Sequence, residues 1–112
     1  MKRTKNNGQL SGFCPRYHQA VELIGRRWSG AIIRSLLSGD RRFRQIAELV
    51  PGVSDRLLSA RLRELEEAGI VHRDVDSGPP IRVAYSLTDA GAELEATIRA
   101  LGDWAHRWIP AR

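Results

Sequence analysis

The stretch PGVSDRLLSARLRELEEAG, residues 51–69, constrains the fold more than any other part of the chain. Pro51-Gly52 is turn chemistry. Ser54 offers an oxygen to the free N–H groups of a first helical turn, and Gly69 suits the left-handed position after a helix end. Between them Leu58, Leu62 and Leu65 fall at i, i+4 and i+7, the spacing of a helix with one buried side. At roughly 100° per residue, Leu62 and Leu65 lie within about 40° of Leu58. Arg56, Ala60, Arg63 and Glu67 lie near the opposite side, with Ser59 at the flank. The helix thus turns short polar and basic groups outward over its first two turns, at the positive end of its dipole. Its glutamates Glu64, Glu66 and Glu67 come later.

Other elements follow from similar signals. Pro15 suits the first position of a helix, Ala20, Val21, Leu23 and Ile24 give it an apolar side, and Gly25 closes it. Trp28, Ile32, Ile33, Leu36 and Leu37 predict a second helix that stops at Gly39. Phe43, Ile46, Ala47 and Val50 predict a short third, ended by Pro51-Gly52. IVHRDV (70–75) and IRVAYSL (81–87) read as strands joined by the turn DSGPP (76–80), a hairpin. Thr88 caps a single final helix with Asp89 in its first turn, striped by Leu94, Ile98, Leu101, Ala105 and Trp108, with Trp104 beside the stripe. The class is mainly α with a small β-hairpin. A short helix, a Gly-containing turn, a longer helix and a hairpin is the layout of a winged helix-turn-helix. With 112 residues the chain is expected to form one domain, residues 14–112, behind a loose basic tail at residues 1–13.

Charge bears on what such a domain touches. Residues 1–63 hold 13 Lys/Arg against 4 Asp/Glu (+9), residues 64–112 hold 5 against 9 (−4), and the whole carries +5. This asymmetry points one half of the molecule at a polyanion. Small residues let a helix settle into a major groove, where arginines reach guanine edges or phosphates. Arg56, Ser59, Ala60 and Arg63, with Ser54 at the helix start, are therefore the expected reading surface on double-stranded DNA. A solvated helix face would favour Glu before Lys/Arg at i, i+4, and the first turns lack that pattern. Arg42 and Arg44, at the start of the preceding helix, are expected on the phosphate backbone, as is Arg82 on the hairpin; Arg73 is left open. Arg61, three residues before Glu64, is read as an intrahelical ion pair. A winged domain that binds another protein and leaves its basic face idle is the competing class. RNA binding is weaker, because the aromatics fall on core stripes instead of an exposed stacking platform.

Enzyme readings have little support. His18, His72 and His106 are far apart in sequence, and no Cys/His cluster has metal-ligand spacing. There is no phosphate-binding glycine loop and no nucleophile motif, so no cofactor is expected. No apolar run approaches the ~18 residues of a membrane span, and the polar, basic start MKRTKNNGQLSG lacks a signal peptide's apolar stretch. The expected compartment is the cytoplasm.

Cys14-Pro15, IGRRW (24–28), RRF (41–43), PGVSDRLLSARLRELEEAGIV (51–71), RVAYSLT (82–88) and the late Trp104 and Trp108 together resemble the HxlR-type winged-helix transcriptional regulators, over residues 14–108. The resemblance implies a regulator that binds operator DNA as a homodimer, paired through the first and last helices and reading DNA with residues 54–68. Twofold symmetry would make that operator pseudo-palindromic, and a repressor is the expected role. On that reading Tyr17, Leu94, Ile98, Leu101, Trp104 and Trp108 form the dimer interface. The final helix supports this independently, since it carries more apolar surface than so small a domain easily covers. Two departures from the family's pattern stand out: Arg26-Arg27 stand where Gly-Lys is frequent, and Ala84 where Glu is. A small-molecule effector is a further expected partner.

The single cysteine excludes an intrachain disulfide and fits a reducing compartment. Cys14 lies at a predicted helix start with Arg16 and His18 near in sequence, a setting that favours the reactive thiolate. Some relatives sense oxidants or electrophiles with a cysteine before proline at this place, so the resemblance adds redox sensing by Cys14 as one reading, beside that of a small buried or incidental thiol.

Overall fold

A computed structural model describes residues 12–111. Of the expected basic tail, residues 1–11 lie outside them. The elements run α1 (Pro15–Ile24), α2 (Ser29–Leu36), β1 (Arg41–Arg42), α3 (Phe43–Leu49), α4 (Asp55–Glu67), β2 (Val71–Asp76), β3 (Arg82–Leu87), α5 (Asp89–Ala92) and α6 (Glu95–Trp108). Local chemistry accounts for the boundaries. Pro15 opens α1. Ser54 Oγ accepts from the Leu57 N–H at 3.1 Å at the start of α4. Gly69, at φ +80°, turns the chain out of α4 into β2.

The three leucines of α4 are almost completely buried, as their spacing requires. They meet Ile32, Ile33 and Leu36 of α2, Ile46 and Val50 around α3, Val71 of β2 and Ile98 of α6 in one core. Burying a side chain of this size contributes about 1.5–3 kcal/mol, so α4 is held by its inner side and leaves its outer side unconstrained.

Two elements differ from the sequence reading. The sheet has three antiparallel strands, ordered β1-β3-β2, instead of a two-stranded hairpin. Arg41 and Arg42 align with Tyr85 and Ala84, and a two-residue strand is too short to show an alternating pattern. The final helix is also broken. Thr88 caps its first turn, accepting from the Gly91 N–H at 3.1 Å, and the Thr88 N–H donates to the Ile70 carbonyl at 3.0 Å. Gly91 sits so close to that carbonyl that a Cβ there would meet its oxygen at 2.3 Å. This pins α5 to the junction of α4 and β2. The Leu94 N–H then reaches back only three residues, to Gly91, and α6 starts on a new course.

Between α1 and α2 the chain makes an elbow. Trp28 adopts φ +78°, a left-handed conformation that costs a non-glycine residue about 1–3 kcal/mol. Beneath its ring lies Gly52 of the α3–α4 turn, where a Cβ would come within 3.1 Å of Trp28 Cη2.

Candidate nucleic-acid interface

α3, the turn through Gly52 and α4 form the helix-turn-helix, and the β2–β3 hairpin flanks α4. Arg56, Ser59 and Arg63 are exposed on the outer side of α4, away from the leucines. Ala60, expected outward, is half-buried at the shoulder of the helix. Ser54 is exposed, but its hydroxyl oxygen is engaged as the helix cap.

The flanking arginines divide into tethered and untethered groups. Arg41 donates from Nε to the Ser35 carbonyl at 3.2 Å and from Nη2 to Ser38 Oγ at 2.8 Å. Arg44 pairs with Asp55 and lies over the Phe43 ring, 5.1 Å from its centroid. The acid at the start of α4 is thereby matched to a cation of α3. Arg42 is exposed, and its backbone N–H donates to Gln45 Oε1 at 2.8 Å.

The two hairpin arginines fall on opposite faces of the sheet. Arg82 stands across from Asp76, and Arg73 stands across from Tyr85. Side chains alternate along a strand, which puts Arg73 and Tyr85 on the face that Val71 and Leu87 present to the core. There they line a shallow polar groove against α4 with Ser59, Arg63 and Glu66. The register therefore brings Arg73, left open by sequence, beside Ser59 and Arg63 of α4, and sets Arg82 against an acid on the other face. A two-residue alternation from the buried Val71 carries that signal.

Arg61 pairs with Glu64 at 3.3 Å, as the i, i+3 spacing suggests. Its remaining contact had no sequence signal. Arg61 is only 9% exposed, and its Nε donates to the carbonyl of Arg27, 34 residues away, at 2.9 Å.

Cys14 occupies the N-cap of α1, where its Sγ accepts from the Tyr17 N–H at 3.5 Å. It is partly buried, and the Phe13 and His18 rings meet next to it with centroids 5.5 Å apart. The residues expected at the dimer interface do not form one set. Ile98 is 7% exposed and belongs to the chain's own core, with Leu94 packed against it. Tyr17, Leu101, Trp104 and Trp108 are 71%, 59%, 51% and 65% exposed. Phe13, just before α1, and Val21 also stand exposed, and with Tyr17 they recur every four residues in the sequence, Tyr17 and Val21 on one side of α1. That spacing was readable in the sequence and was missed.

Among the described residues no group of three or more His, Cys, Asp or Glu is placed to hold a metal ion, and no helix is long and apolar enough to cross a membrane.

This arrangement of helix-turn-helix, three-stranded sheet and flanking hairpin defines a winged-helix transcriptional regulator. Residues 23–112 match the HxlR-like helix-turn-helix family, and the chain belongs to it. It is 43% identical over 99 residues to the HTH-type transcriptional regulator YvaP of Bacillus subtilis (strain 168), covering 88% of this chain and 92% of YvaP. To YodB, an HTH-type transcriptional regulator of the same organism, it is 40% identical over 95 residues, 85% of either chain. The structure of reduced YodB superposes with a TM-score of 0.78 at 39% identity, over 88% of this chain and 96% of that one. The redox regulator HypR in its oxidised form gives 0.81 at 34% identity, over 88% of this chain and all of HypR (100%).

Proposed function

We propose that this chain is a homodimeric, cytoplasmic repressor that binds a pseudo-palindromic DNA site and releases it when Cys14 is oxidised or alkylated. One observation carries the DNA reading. The exposed row Arg56, Ser59 and Arg63 projects from a helix whose opposite side is locked into the core. Arg56 and Arg63 are assigned to base edges, Ser59 and Ala60 to close approach, and the start of α4 at Ser54 to the backbone. Arg42, Arg44, Arg73 and Arg82 serve as phosphate contacts. Arg73 is the strongest of these because it shares a groove with Ser59 and Arg63.

Pairing through Tyr17 of α1 and Leu101, Trp104 and Trp108 of α6 would cover apolar surface that one chain leaves exposed. Twofold symmetry then sets the two α4 helices about one DNA turn apart. Thiol control is supported by relatives: YodB has been solved reduced, diamide-treated and quinone-bound, and HypR is a redox regulator. With one cysteine in this sequence, control runs through an adduct on Sγ or a bond between two chains. A quinone-like electrophile is the matching class of small-molecule effector.

Titration of duplex DNA at increasing salt tests the binding. Affinity should fall steeply and linearly on a log–log plot while one sequence stays preferred. Salt-insensitive or absent duplex binding would favour the protein-interaction class instead. Cys14→Ser should bind DNA as the wild type does and resist release by diamide, and equal release from the mutant would remove Cys14 from the mechanism.

A further inference from the structure

α4 has a third side, neither leucine nor reading surface, and it is tied to a distant part of the chain. Arg61 donates from Nε to the Arg27 carbonyl at 2.9 Å and from Nη1 to both Glu64 oxygens at 3.3 Å. Glu64 also meets Arg26 Nη1 at 3.2 Å. One carboxylate thus bridges an arginine of α4 and an arginine of the elbow after α1. Trp28, directly after Arg27, holds its left-handed conformation with its ring over Gly52 and the Arg27 guanidinium 5.2 Å from its centroid. The elbow is therefore fastened to the helix-turn-helix at two points, α4 and the α3–α4 turn. Of these links from α4 to the segment joining α1 and α2, the Arg61 hydrogen bond is the more deeply buried, beside the more exposed Arg26–Glu64 ion pair.

We propose that Arg61 is a positioning residue that fixes the angle between α1 and α4. α1 is capped by Cys14 and carries the exposed Tyr17 and Val21, with the exposed Phe13 just before it, whereas α4 carries the reading row. A planar fork suits this task, because it bonds a carbonyl in one direction and a carboxylate in another from a nearly buried position. Lysine keeps the charge but has no such fork. A buried guanidinium is costly to leave unpaired, so the elbow and α4 hold one relative setting. If the chain pairs through α1 and α6 as proposed above, that angle sets the separation of the two reading helices, and with it the spacing of half-sites the dimer accepts.

The full chain tests this with Arg61→Lys, which loses the fork, and with the double variant Arg61→Met/Glu64→Gln, which removes the pair without orphaning a buried charge. Nitroxide labels at Gln19→Cys on α1 and Glu67→Cys on α4, in a Cys14→Ser background diluted with unlabelled protein, report the α1–α4 distance within one chain. A single narrow distribution is expected in the parent and a broadened one in both variants. Wild-type width retained in the folded variants overturns the proposal, whether or not the protein binds DNA. On libraries of half-sites with varied spacers, the parent's preference for its best spacing should fall about fivefold or more, the low end of typical coupling between sites. Preference for bases within each half-site should persist. Loss of base preference together with spacing would also overturn it, because Arg61 would then act on the reading surface itself. A parent with a narrow distance that binds no duplex would refute the DNA reading and leave the clamp standing.

Discussion

α4 and α6 are nearly the same length, 13 and 14 residues, and both have an apolar stripe, but they use it differently. In α4 the stripe is spent inside the chain, with Leu58, Leu62 and Leu65 almost fully buried and only polar groups on the far side. In α6 only Ile98 is buried, while Leu101, Trp104 and Trp108 stand in the open. α4 is satisfied within one chain and leaves only polar groups on its outside. α6 leaves most of its stripe uncovered by its own chain. Periodicity alone marks both as amphipathic; what differs is how much of each stripe the rest of the chain can reach.

The contrast can be broken from either side. Leu62→Ala should cost about 2–5 kcal/mol of folding stability, read as a lowered midpoint in urea, whereas Leu101→Ala in a monomeric background should cost far less. Next in size, Trp104→Ala should weaken self-association by about 2 kcal/mol or more, as central interface aromatics do, and sedimentation would show monomer appearing with folding intact. An unchanged dimer would assign the exposed stripe of α6 to another partner. Smaller again, Ser54→Ala should lower stability by about 1 kcal/mol through loss of the α4 cap, a change measurable by thermal melting. Last, Arg73→Ala should reduce the slope of log affinity against log salt by about one without altering base preference. Glu66→Gln, in the same groove, should tighten binding. A slope unchanged by Arg73→Ala would place the groove off the DNA.

Much of this was legible in the sequence because it depends on local pattern. The leucine spacing, the Ser54 cap and the Gly69 exit fixed α4 and therefore the outward direction of Arg56 and Arg63. What escaped depends on contacts distant along the chain. β1 exists only because β3 has an edge beside it, and the break before α6 only because Gly91 lies on the Ile70 carbonyl. The depth of Arg61 follows from a carbonyl 34 positions earlier. The placement of Arg73 in a groove with Ser59 and Arg63, and of Arg82 on the other face of the sheet, required the register that puts Val71 inward. The division of the α6 stripe between core and exterior likewise needed α2 in place.

The most direct test of the outward face of α4 is selection of bound duplexes from random DNA by the parent, Arg56→Ala and Arg63→Ala. Each substitution should relax preference at particular base positions, at a cost of about 1–3 kcal/mol per contact, with folding stability within about 0.5 kcal/mol of the parent. Identical selected sequences from all three proteins would contradict the assignment of this face to DNA.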